Sequence, residues 1–182
     1  MIYYIFRFFI IILILFPFYL IFRRPWKKDW ERECVLGVFV LFTLGLLVLV
    51  LEGNYQNPFQ MVRYAGWRIS SGYGINLIPF RTIRGYFRHF IFSIFMVNIV
   101  GNIVMFIPWG FGLPLLWKKR QSVPSVVLFS ALLPLFIETV QLFIGRSVDV
   151  DDLILNFAGG LIGGFGYLLI RHKIEKADRF SR

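Results

Sequence analysis

The sequence predicts an all-α, polytopic membrane protein with about five transmembrane helices, its N-terminus outside and its C-terminus in the cytoplasm. Three observations predict it. Of the 182 residues, 58% are hydrophobic and only 16% are charged, whereas a water-soluble domain is about 45–50% apolar and about 25% charged. The apolar residues are gathered into stretches long enough to cross a bilayer, which takes about 20 residues. The basic residues between those stretches fall mainly on one side. This composition excludes a soluble enzyme, for want of polar surface, and a disordered chain, which would be poor in apolar residues.

The first stretch, residues 1–22, is interrupted only by Arg7. It has no basic start, and Arg23 and Arg24 follow it instead of a small-residue cleavage site. It reads as a retained anchor helix, not a signal peptide. The second stretch, 34–51, has no charge, and the third lies inside the uncharged run 90–117. The fourth, 123–144, carries Glu138 alone, and the fifth, 153–170, carries no charge. Residues 53–89 form the one long connection. Their Gly, Ser, Asn and Pro break any spanning helix, and residues 73–90 read as an interfacial or re-entrant segment ahead of the third span.

Arg23, Arg24, Lys27, Lys28 and Arg32 lie between spans one and two. Lys118, Lys119 and Arg120 lie between three and four, and Arg171, Lys173, Lys176, Arg179 and Arg182 follow five. Five spans put all three groups on one side, which the positive-inside rule makes cytoplasmic. They outnumber the outer Arg63, Arg68, Arg81, Arg84, Arg88 and Arg146. The net charge of +10 is therefore read as basic loops at a membrane, not as a nucleic-acid surface. The one cysteine, Cys34, allows no internal disulfide. With His89 and His172 it makes too few soft ligands for a zinc site. Residues 1–182 read as a single membrane domain.

The polar residues that hydropathy disfavours carry the functional signal. Glu138 and Gln141 are three apart on one face of span four. An ionisable group in a membrane helix is a functional candidate unless it reaches the interface or is paired. Residues 145–152 read G-R-S-V-D-V-D-D, so Glu138, Asp149, Asp151 and Asp152 make four of the ten acidic residues. Asp149 and Asp152 have the spacing of a capping box. Alternatively, carboxylates here act as general acid and base, with Glu138 and Asp149 the candidates. Asp149, Asp151 and Asp152 are also weak candidates for a divalent cation. Arg146 is placed to pair with Glu138 or to grip a phosphate or carboxylate.

Asn98 and Asn102 are four apart in span three, and Asn156 starts span five; all three are also suited to gluing helices together. Gly159, Gly160, Gly163 and Gly164 predict close helix packing, and Pro108, Pro114 and Pro134 predict kinks. Asn76 opens a turn ahead of Arg81, Arg84 and Arg88, whose spacing makes one cationic stripe if the segment is helical, suited to anionic headgroups or to solvent. Under the predicted topology these residues converge on the outer half of the membrane as an outward-opening polar site.

The motifs resemble those of the VanZ-like family of integral membrane proteins. The resemblance is carried by N-L-I-P-F at 76–80, N-I-V-G-N-I-V-M-F-I-P-W-G at 98–110 and Leu113-Pro114. It continues through E-T-V-Q at 138–141, R-S-V-D-V-D-D at 146–152 and N-F-A-G-G at 156–160. It makes 76–170 the VanZ-like core and leaves 1–75, two spans and an outer loop, without a family motif. The resemblance implies a bacterial cytoplasmic-membrane protein. The family takes its name from a member linked to glycopeptide resistance, notably to teicoplanin. It supplies no assigned catalytic role and leaves any cofactor unknown. Its matched polar positions here are Asn76, Asn98, Asn102, Glu138, Gln141, Arg146, Asp149, Asp151, Asp152 and Asn156.

Three functions compete. One is a non-enzymatic envelope protein binding an anionic lipid or lipid-linked wall precursor. Another is a membrane-embedded enzyme acting on a lipid headgroup or polyprenyl-linked precursor through Glu138 and Asp149, although no nucleophile motif such as G-x-S-x-G is present. The third is a small transporter, disfavoured by polar residues confined to one half of the membrane and by the lack of an inverted repeat.

Overall fold

Asp29 opens the first helix of the computed structural model, which describes residues 29–53 and 57–180, with side chains through residue 171. Asp29 caps α1 (Trp30–Val50), its carboxylate accepting from the Arg32 amide. The predicted span at 1–22, with Arg23, Arg24, Lys27 and Lys28, lies outside the described residues. Four helices are long and apolar enough to cross a membrane: Trp30–Val50, Phe92–Leu116, Val123–Phe143 and Val150–Arg171. They correspond to the second through fifth predicted spans. The chain divides into two units, Met1–Glu52 and Gly53–Arg182; α1 belongs to the first, and the polar motifs belong to the second.

The long connection of the second unit holds a helix that its breaker residues conceal. Asn57 caps α2 (Pro58–Ser71) by accepting from the Phe59 amide, Pro58 starts it, and Gly72 ends it in the left-handed conformation at φ 70. These are the preferred start and stop residues of a helix. Fourteen residues reach only about 21 Å at 1.5 Å per residue, too short to span. A two-residue strand β1 (Ile75–Asn76) follows, then α3 (Arg81–Arg88).

The third span is α4 (Phe92–Phe95), a π-helical turn (Met96–Val100) and α5 (Gly101–Leu116) in continuous run. A 3-10 turn (Lys118–Arg120) leads to α6 (Val123–Phe143). Strand β2 (Val148–Asp149) pairs in parallel with β1, matching Ile75 to Val148 and Asn76 to Asp149. The last helix, α7, runs from Val150 to Phe180. It starts a turn earlier than predicted, taking Asp151 and Asp152 into its first turn, where acids suit the helix dipole.

The core of this unit is α7 packed along α5 and against α6. Gly159 and Gly163 let the backbones meet. A Cβ on either would run into the Ile103 or Ile107 carbonyl, the close approach that small residues permit between membrane helices. Because α5 and α7 run the same way and α6 runs back, residues 92–102, 138–149 and 150–156 share one end of the bundle. The opposite end holds exposed Lys118, Lys119 and Arg120 and is tied by Gln121, which donates to Pro114 O and Tyr167 Oη. Arg171 donates to Gln121 O there.

Candidate functional site

Asp151 organises the polar end. It is fully buried. Its two oxygens accept backbone N–H groups from Phe80, Thr82 at 2.7 Å and Ile83 at 3.0 Å. These are the open amides at the start of α3, where an anion is favoured by both hydrogen bonding and the helix dipole. Three charge-assisted bonds offset the cost of burying the carboxylate. They also hold Phe80 in a left-handed conformation, φ 63, which costs a residue with a Cβ about 1–2 kcal/mol.

Asp149 ties the loops together. Its Oδ1 accepts from Asn76 Nδ2 at 2.9 Å and from the Asp151 amide at 2.9 Å, and its Oδ2 accepts from the Thr82 hydroxyl. Asn76 also donates to Thr82 Oγ1 and accepts from the Ile78 amide, which shapes the turn before α3. The Asp149 amide donates to Glu138 Oε2 at 3.1 Å, so the two sequence-predicted acid–base candidates meet through a backbone bond. The Asp149–Asp152 capping box does not form. Asp152 turns instead to α5 and accepts from Asn102 Nδ2 at 3.0 Å.

The three aspartates thus point to three different sets of donors, and among the described residues no group of three His, Cys, Asp or Glu is arranged to hold a metal ion. Glu138, Gln141 and Asn156 are buried at the same end. Arg146 is exposed, within electrostatic reach of Glu138 and Asp152. Its amide donates to Gln141 O at 3.0 Å. Asn98 lies in the π turn and donates back to Ile94 O at 2.8 Å. Asn102, beyond the π turn, donates instead to Asp152 Oδ1, so the two amides have different partners. Arg81, Arg84 and Arg88 all lie exposed on α3, while Thr82, Ile83 and Tyr86 turn inward and are partly covered.

Three residues that sequence reasoning missed complete the arrangement. Arg68 is 1% exposed and donates to four carbonyls: Tyr73 at 3.2 Å, Gly74 at 2.8 Å, Gln141 at 3.3 Å and Leu142 at 2.9 Å. It fastens α2 to the C-terminal end of α6, where a cation is favoured. Its signal was an arginine one turn after Ala65 on an otherwise apolar helix face. Thr82 follows N-L-I-P-F by two residues. Tyr86 is one turn beyond Thr82; its pKa is raised by burial first, then by Asp152 and Asp149.

Comparison with known proteins places this arrangement. The model of the VanZ/LLP1 family matches residues 39–171, beginning inside α1 and so ahead of the first motif at Asn76. Protein VanZ of Enterococcus faecium is 30% identical over 128 residues, which cover 70% of this chain and 69% of that protein. No solved structure matches. The helices, the carboxylate-braced polar end and these matches lead to one conclusion: the chain belongs to the VanZ/LLP1 family.

Proposed function

We propose that this chain is a bacterial cytoplasmic-membrane protein whose polar end faces outward and holds an anionic lipid or lipid-linked wall component. The basic Lys118–Arg120 turn and Arg171 at the opposite end support that orientation, since basic loops stay in the cytoplasm. One observation carries the binding role. Asp149 and Asp151 are engaged with Asn76, Thr82 and the amides of α3, and this fixes α3 with Arg81, Arg84 and Arg88 exposed. Phe87, Phe90 and Phe92 are exposed beside them. Aromatic and basic residues together on a short helix and the segment that follows it suit a lipid headgroup region. The three donors on Asp149 argue against its use as a general base, so binding is favoured over catalysis.

The protein purified in detergent and stripped of lipid should retain phosphatidylglycerol over phosphatidylcholine by native mass spectrometry. Arg81→Gln/Arg84→Gln/Arg88→Gln should lower that retention roughly tenfold or more, at about 1 kcal/mol per basic residue near anionic headgroups. Equal retention by the triple variant would overturn the reading. The resemblance to the VanZ-like family makes teicoplanin susceptibility the phenotype to measure in a host expressing the chain.

A further inference from the structure

Below α3 the bundle offers acceptors where the arginine face offers donors. Asn156 has 5% of its surface exposed, and its Oδ1 is buried with no hydrogen-bond partner. A buried polar oxygen left in that state is costly. Asn156 stands one turn from Asp152 on the same face of α7. Helical side chains lean toward the N-terminus, so its amide is directed at the turn that carries Asp152. Asp152 receives Asn102 on Oδ1, and Glu138 receives the Asp149 amide on Oε2. Among the described residues no donor is assigned to the second oxygen of either carboxylate. Tyr86 and the exposed Arg146 lie within electrostatic reach of Asp152.

We propose that the recess of Glu138, Asp152 and Asn156 binds a primary ammonium group, while Arg146 and the arginines of α3 meet a phosphate on the same molecule. An ammonium brings three N–H donors and a positive charge, which answers one amide oxygen and two carboxylate oxygens together. A quaternary ammonium has no N–H for Asn156, and a hydroxyl headgroup has no charge for the carboxylates. The ligand class is a phosphate ester with a primary amine, found in an aminophospholipid headgroup or as a free aminoalkyl phosphate. The inference rests on the proposed binding role and directs it to a phosphate-bearing headgroup that also carries a primary amine.

The test uses the full chain, delipidated in detergent, with phosphatidylethanolamine, phosphatidylglycerol and phosphatidylcholine compared by native mass spectrometry. Phosphatidylethanolamine should be retained roughly tenfold over phosphatidylcholine. Asp152→Asn keeps an oxygen for Asn102 and removes the charge. It should weaken phosphatidylethanolamine roughly tenfold and leave phosphatidylglycerol unchanged. Asn156→Leu should also weaken phosphatidylethanolamine without lowering the melting temperature, which separates binding from misfolding.

Displacement by free O-phosphoethanolamine would support the recess and identify a soluble source; retention despite it would support the recess and identify the lipid. If phosphatidylethanolamine and phosphatidylglycerol are retained alike and Asp152→Asn changes neither, water fills the recess and the ammonium inference is overturned, with the binding role intact. If no lipid is retained, both are overturned.

Discussion

Replacing Asp151 with alanine removes the anchor of α3 without touching any exposed group. Three backbone amides, those of Phe80, Thr82 and Ile83, lose their acceptor. A hydrogen bond to a charged group contributes about 1.5–3 kcal/mol, so the gross loss is about 4.5–9 kcal/mol. Release of the left-handed Phe80 returns about 1–2 kcal/mol. Detachment of α3 lets its amides reach water, which limits the loss further. The expected cost to docking of α3 is about 3–5 kcal/mol, and Asp151→Asn, which retains one acceptor oxygen, should cost about half. The assay is amide hydrogen exchange on the detergent-solubilised protein, read at Phe80, Thr82 and Ile83. Local opening should become about 10²- to 10⁴-fold more frequent, while Gln121 and its neighbours at the far end stay unchanged. Unaltered exchange at these three amides in a folded Asp151→Ala protein would refute the role assigned to this carboxylate.

The remaining expectations concern packing, the buried cation and the phenol. Gly163→Ala drives a Cβ into the Ile107 carbonyl and should destabilise by about 1–3 kcal/mol, seen as a lower melting temperature. Gly166→Ala, with nothing within 4 Å of its added carbon, should leave that temperature unchanged. Arg68→Met leaves four carbonyls without their donor and should cost about 3 kcal/mol by thermal denaturation. Lysine should restore less than half, because one ammonium cannot replace a fork spanning the loop after α2 and the end of α6. Tyr86 should ionise above its ordinary value of 10.0 in an absorbance titration compared with Tyr86→Phe. Because its folded pKa is raised, its contribution is intact below the unfolded value and is lost as pH rises through the folded one.

Much of the architecture was legible in the chain because apolar length is a local property. The described spans Phe92–Leu116 and Val123–Phe143 fall within two residues of the stretches marked by hydropathy, and Trp30–Val50 starts four residues early. The early start has a local cause, the Asp29 cap and a first turn that tolerates Glu31 and Glu33. Helix α2 was missed because Pro58 and Gly72 read as loop residues, although they stand where a helix starts and stops. The family motifs marked 76–170, and the matched region reaches back to residue 39.

Which polar residues belong together followed from the sequence only as a grouping at one end of the helices. Spacing put Glu138, Asp149, Asp151, Asp152 and Asn156 near each other, since each lies within a turn or two of a predicted span end. Spacing could not say that Asp151 would face the amides of α3, that Asp152 would leave its own cap for Asn102, or that Asn98 would fold back on Ile94. Nor could it turn Arg68 from one more outer arginine into the clasp between α2 and α6. The sequence by itself determined which stretches are long and apolar enough to cross a membrane, because that depends on how many consecutive side chains avoid water. Only the tertiary structure decided what each carboxylate does, because hydrogen bonds have short range and fixed direction, and partners about seventy residues apart are chosen by packing.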